Sequence, residues 1–254
     1  MELFPIRTPL LAKGDDLPTI LANAFPLAEG DILVLSSKTV ATVEGRTTDL
    51  RTIRITDEAL SWANRIDGDP AFHQAVLDET ARMCGRVVGE ASGTLLTELN
   101  PAGLGEGTLL VPNAGLDRSN VAEGFAIGWP RDPVASVTLL RRTIRGKSGA
   151  DIAVILTDSG LSPRRLGVTA FALACAGVDP LESRIGRPDL FGKHLRVTVE
   201  ARADQLATAA NFLMGNAGES VPAAVIRGHD LPLTDFAGWV PGIERERDLY
   251  HGII

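Results

Sequence analysis

What most constrains this chain is how its apolar residues are parcelled out. They fall in many short runs, each closed by Gly, Pro or Asp, with only a few windows of helical period between them. That mixture favours an α/β or an α+β fold. Gly30-Asp31 opens Ile32–Leu35, a run of buried-strand type, and Ile152–Leu156 is a second, ending at Thr157-Asp158-Ser159-Gly160. Leu195–Val199 and Ala223–Ile226 read as further strands. The weakly polar stretch Val168–Val178 is far below the roughly 20 residues that span a bilayer, so it reads as a buried strand or core segment. Residues between about 84 and 120 are Gly-rich and β-like.

Helix starts are marked by their caps. Asp15-Asp16-Leu17-Pro18 opens an amphipathic segment through Phe25, and Thr56 with Asp57 and Glu58 opens one to about Arg65. Asp69-Pro70 begins another, carrying Ala71, Ala75, Val76 and Met83. Asp132-Pro133 starts a helix through about Arg145 that Lys147-Ser148-Gly149 stops. Ala203–Met214 is the clearest, with Leu206, Ala209, Ala210, Leu213 and Met214 on one face and Gly215 behind it. With no internal repeat or linker, a single catalytic unit over residues 1–254 is expected, two lobes being the variant of it.

Composition narrows the partners. The chain carries 25 Lys and Arg against 32 Asp and Glu, a net charge of −7, and 44% hydrophobic residues over 254 positions. That is the composition of a soluble globular protein with ample core, and it argues against a nucleic-acid or anionic-membrane partner. Cys84 and Cys175 form no CxxC pair, so no disulfide framework or thiolate zinc site is expected. The N-terminus has an acidic second residue and two prolines where a signal peptide needs an apolar run, which points to a cytoplasmic protein.

Three segments place small polar groups where an apolar run meets a loop. In Asn113-Ala114-Gly115-Leu116-Asp117-Arg118-Ser119-Asn120, Asp117 can hold a hard divalent cation, and Ser119 and Asn120 can hydrogen-bond a phosphate or sugar. The same segment also reads as a turn satisfying its own backbone. Asp158-Ser159 stands at a strand end, suited either to Mg²⁺ or Mn²⁺ bridging phosphate oxygens or to capping the turn that follows. Arg164 and Arg165 downstream can counter phosphate charge or stay solvated. Met214-Gly215-Asn216-Ala217-Gly218-Glu219 offers backbone N–H groups to phosphates, or is only a helix C-cap. His73, His194, His229 and His251 show no metal-ligand spacing, and HExxH, P-loop and GxSxG patterns are absent.

Taken in order and at these separations, NAGLDRSN, ILTDS and ADQLATAANFLMG resemble the coenzyme F420-0:L-glutamate ligase family. The resemblance extends through Phe4-Pro5, TPLLAKGDDL, GDILVLSSK leading to Glu44-Gly45-Arg46, HQAVLDE, IGRPDLFG and Val221-Pro222 to Arg227-Gly228, covering most of residues 1 to 230. It implies an α+β fold with mixed and antiparallel sheets and packed helices. It also implies a homodimeric, GTP-dependent ligase that joins L-glutamate to a deazaflavin-type acceptor through an acyl phosphate, with Mn²⁺ or Mg²⁺ and with K⁺. Carried over, Asp117 and Asp158 are metal ligands and the catalytic pair, Ser159 takes a position that the family fills with a metal-binding Thr, and Asn120 contacts the nucleotide. Pro9, Leu10, Leu11 and Ser37 line the nucleotide pocket with the loop holding Met214, Gly215 and Gly218.

The chain departs from the pattern at one presumed site. Thr42 stands where the family usually has a nucleotide-contacting Lys, and Lys38, four residues earlier, shares its face on a helix or a strand and is the substitute phosphate contact. Asn216 replaces a metal-binding Glu, keeping an oxygen donor without its charge. Leu161-Ser162 replaces a Gly-Arg pair. Two classes of function follow: an active ligase for the deazaflavin precursor or another acceptor, or a non-catalytic nucleotide- and metal-binding protein.

Overall fold

The apolar runs at residues 32, 153 and 223 meet in one six-stranded sheet. In a computed structural model, which describes residues 1–91 and 93–253, the sheet order is Glu2–Ile6, Ala223–Arg227, Ile32–Ser36, Ala153–Leu161, Val168–Ala176 and Ala237–Trp239. Only Ile32–Ser36 and Ala153–Leu161 run parallel, and every other neighbouring pair is antiparallel, so the sheet is mixed. Ile32, Leu33, Val34 and Leu35 are all fully buried, because both faces of the central strands are covered. The helix Arg202–Met214 covers one face with Ala203, Leu206, Ala207, Ala210 and Met214, packed on Ile32, Val34, Ala153, Ile155, Ala170 and Ala172. Pro133–Ser148, itself packed on Leu17–Ala24, contacts Ala153–Leu161 and Val168–Ala176. The fold is thus α+β with mixed and antiparallel sheets, as expected.

Contacts cluster into two units, each built from three segments: Met1–Leu10, Asp16–Ser37 and Asp132–Val240 in the first, and Leu11–Asp15, Lys38–Arg131 and Pro241–Ile254 in the second. The first holds the six-stranded sheet and a short antiparallel pair, Leu181–Ser183 with Val199–Ala201. The second holds the packed helices Asp57–Ile66 and Pro70–Arg82. It also holds the antiparallel sheet of Arg86–Ala91, Thr94–Leu99 and Leu109–Pro112, and the pair Thr47–Asp49 with Phe125–Ile127.

The capping residues read from sequence cap the helices. Asp16, Thr56, Asp69 and Asp132 each accept a backbone N–H in the first turn of their helix, and Gly149 closes Pro133–Ser148 in the left-handed conformation. Two strand expectations are corrected. The strand expected to end before Thr157 continues to Leu161, because the antiparallel ladder to Val168–Ala176 carries on after the parallel partner stops at Ser36↔Thr157. The strand expected at Leu195–Val199 is instead Val199–Ala201, since Leu181–Ser183 offers partners only to those three residues.

Candidate active site

The Asn113–Asn120 segment is held by its own backbone geometry. Asn113, Ala114 and Gly115 are consecutive left-handed residues, with φ of 51°, 52° and 74°. The side chain of Asn113 accepts from Leu95 N at 3.0 Å, and Ala114 N donates to Thr97 Oγ1 at 3.0 Å. Gly115 lies flat on Trp129, where a Cβ would sit 2.4 Å from the indole. This turn delivers Asp117 into a bridge with Ile127, its N–H and C=O both bonded to that residue at 2.9 Å.

The Asp117 carboxylate is saturated. Oδ1 accepts from Arg118 N at 2.6 Å and Ser119 N at 2.9 Å, and Oδ2 accepts from Ser119 Oγ at 2.6 Å and Lys38 Nζ at 2.5 Å. Burial pushes this carboxyl up, but the hydrogen bonds from Lys38 and Ser119 outweigh it and hold it below the ordinary carboxylate range. Lys38 also donates to Ser119 O at 3.1 Å and to Ser119 Oγ at 2.8 Å. Three oxygens, from a carboxylate, a hydroxyl and a carbonyl, therefore converge on one cationic nitrogen. These are oxygens of the kind a hard cation takes, held here by the ammonium.

Lys38 and Thr42 lie on the helix Ser37–Val43, one turn apart. Thr42 spends its hydroxyl on Lys38 O at 2.8 Å, within the helix, so the charge on this face is that of Lys38. The Arg118 side chain does not join the cluster: it stacks 4.5 Å over Phe72 and pairs with Asp69 at 3.3 Å. Ser119, which carries four of the contacts around Lys38 and Asp117, is the residue that motif spacing alone undervalues.

In the first unit, Ser159 Oγ donates to Asn216 Oδ1 at 3.0 Å. The pair sets two uncharged oxygens side by side. Asp158 is half-buried and pairs with Phe171 in the ladder, while Ser159 pairs with Ala170. Strand alternation therefore sends the Asp158 side chain to the face opposite Ser159. The structure brings Ser159 and Asn216 together.

The loop after the helix is partly self-satisfied. Gly215 N donates to Asn211 O at 2.9 Å and Ala217 N to Glu219 Oε2 at 2.8 Å, while Gly218 stands in open space. The Met214 side chain is buried in the core beneath the helix. Pro9 and Leu10 are exposed in the first unit, Ser37 is buried at the start of its helix, and Leu11 belongs to the second unit. Asn120 takes a left-handed conformation, with φ of 55°. Arg164 and Arg165 sit on the exposed hairpin after Leu161, and neither forms an ion pair among the described residues. His73 is fully buried, and neither ring nitrogen has a hydrogen-bond partner among the described residues. Both cysteines are free thiols, and burial pushes Cys175 up to about 12.

The comparisons agree in direction. Residues 5–228 match the family described as F420-0:Gamma-glutamyl ligase. The Coenzyme F420:L-glutamate ligase of Methanosarcina acetivorans is 40% identical over 224 residues, 88% of this chain and 84% of that protein. Its counterpart in Archaeoglobus fulgidus is 38% identical over 229 residues, 90% of this chain and 88% of that protein. The one in Methanothermobacter thermautotrophicus is 34% identical over 246 residues, 95% and 94% of the two chains. A match of this extent, running through every motif built above, shows that the chain belongs to the F420-0:gamma-glutamyl ligase family.

Proposed function

We propose that this chain is a GTP-dependent amide ligase that joins L-glutamate to the carboxylate of a deazaflavin-type acceptor, F420-0. The family match over residues 5–228 carries the reading. A carboxylate is a poor electrophile at neutral pH, so it must be activated. An acceptor carboxylate oxygen attacks the γ-phosphorus of GTP, the bond to the β-phosphate oxygen breaks, and GDP leaves. The glutamate amine then attacks the acyl carbon of the acyl phosphate, the C–O bond to phosphorus breaks, and inorganic phosphate leaves as the nitrogen gives up a proton.

In one unit Asp117 with Ser119, and in the other Asp158 on one face of its strand and Ser159 with Asn216 on the opposite face, would each offer oxygen donors to Mn²⁺ or Mg²⁺, which when bound neutralises triphosphate charge. Asn120, Pro9, Leu10, Leu11, Ser37 and the loop at Met214, Gly215 and Gly218 contact the nucleotide, and K⁺ supports the reaction. The enzyme works as a homodimer in the cytoplasm. No helix among the described residues is long and apolar enough to cross a membrane.

The test is to incubate the purified chain with GTP, Mn²⁺, L-glutamate and F420-0 and to follow GDP and glutamylated product by mass spectrometry. The wild type forms both, and Asp158→Asn lowers turnover about 100-fold or more. Absence of product, together with no nucleotide-induced rise in Tm, contradicts the proposal.

A further inference from the structure

The position of Lys38 has a consequence for how a metal reaches Asp117. The two carboxylate oxygens accept four hydrogen bonds, two each, which is the full lone-pair capacity of the group. Three of those donors, Arg118 N, Ser119 N and Ser119 Oγ, belong to the turn itself. The fourth is a cation brought from another element, the helix Ser37–Val43. Both places on Oδ2 are taken, by Lys38 Nζ and Ser119 Oγ, so a divalent ion about 2.1 Å from that oxygen must take one of them, and an ammonium left on the other, about 4 Å away, would repel it.

We infer that the Lys38 ammonium is the resident cation of the Asp117 site, and that a divalent metal binds there only by displacing it. This rests on the metal-ligand role of Asp117 in the function proposed above. In this arrangement Lys38 keeps the Asp117–Ser119 turn closed in the absence of metal and sets the metal concentration at which the site loads. The contacts to Ser119 O and Oγ complete the three donor positions of the ammonium and seat it among the same oxygens that a metal at Asp117 would use.

The inference is tested with the full-length protein and Mn²⁺ alone, with no nucleotide, glutamate or acceptor. Mn²⁺ binding is measured by the loss of the free-ion electron paramagnetic resonance signal for wild type, Lys38→Met, Lys38→Arg and Asp117→Asn, each shown to be folded by its melting curve. Displacing a half-exposed ion pair costs about 1 kcal/mol, so Lys38→Met is expected to bind Mn²⁺ about fivefold more tightly than wild type. Lys38→Arg stays within about twofold of wild type, and Asp117→Asn loses the site. A lysine with a merely structural role predicts unchanged or weaker binding in Lys38→Met, and either result overturns the inference, as does unchanged binding in Asp117→Asn.

A second measurement needs no variant. Acylation of Lys38 by a lysine-selective reagent, read by peptide mass spectrometry against Lys13, Lys147 and Lys193, is expected to speed up severalfold when Mg²⁺ is added. An unchanged rate at Lys38 overturns the inference. Because neither measurement uses substrate, a chain that passes both and yet forms no glutamylated product keeps this inference and loses the ligase reading. A chain that turns over and fails both does the reverse.

Discussion

A carboxylate that accepts four hydrogen bonds has a pH signature. The hydrogen bonds at Asp117 favour its ionised form and leave its folded pKa depressed. The stability it contributes is therefore present above the unfolded value of about 3.9 and is lost as pH falls through the lower folded value. The gap in Tm between wild type and Asp117→Asn is expected to be widest above about pH 5 and to narrow steadily as pH falls below about 4. A gap independent of pH would contradict that account. Gly115 is a second residue with a single-atom consequence, combining a φ of 74° with the Trp129 indole where a Cβ would stand. Gly115→Ala is expected to destabilise the protein by about 2–4 kcal/mol in urea denaturation, from left-handed strain plus overpacking. At this scale the sequence showed the residue types and concealed their partners. Asp117 and Lys38 are 79 positions apart, and no local pattern links them.

At the scale of elements, helix boundaries were legible because caps act within one turn. Asp132 accepts from Ala135 N at 2.9 Å, three residues on, and the same logic holds at Asp16, Thr56 and Asp69. Removing that acceptor in Asp132→Ala is expected to cost about 1 kcal/mol, a fall in Tm of about 2–4 °C in a scanning experiment. Strand boundaries were less legible, since they depend on partners distant in sequence. Nothing near Thr157 announces that Val168–Ala176 will extend the ladder to Leu161, and that extension puts Asp158 and Ser159 on opposite faces. The buried face of Arg202–Met214 was legible at Leu206, Ala210 and Met214, while Ala203 and Ala207 complete it where Ala209 and Leu213 were expected. Asp204 on that helix offers a check on burial. Desolvation raises its carboxyl despite the bond from Ala172 N at 2.8 Å. A raised folded pKa means stability is lost as pH climbs through it, so Asp204→Asn is expected to melt higher than wild type at pH 7 and level with it near pH 3.

Over the whole molecule, the fold class and the family were readable because collinear motifs spread over most of the chain constrain one architecture. The arrangement into two units was not, since each is assembled from three separate segments and no composition shift marks where the chain passes from one to the other. The candidate residues divide in the same way, with Lys38, Asp117, Ser119 and Asn120 in one unit and Asp158, Ser159, Asn216 and Gly218 in the other. The net charge of −7 acquires a local meaning here. On the proposed function, an acidic protein that handles a triphosphate depends on metal and on a few placed cations, and Lys38 is the candidate among them. The account as a whole stands on carboxylate activation by phosphoryl transfer. The most direct test supplies F420-0 labelled with ¹⁸O in its acceptor carboxylate, together with GTP, Mn²⁺ and L-glutamate. One ¹⁸O per turnover in the released inorganic phosphate, matched by glutamylated product and GDP, is the predicted result. Product whose formation leaves the phosphate unlabelled, or no product at all from folded protein, would contradict it.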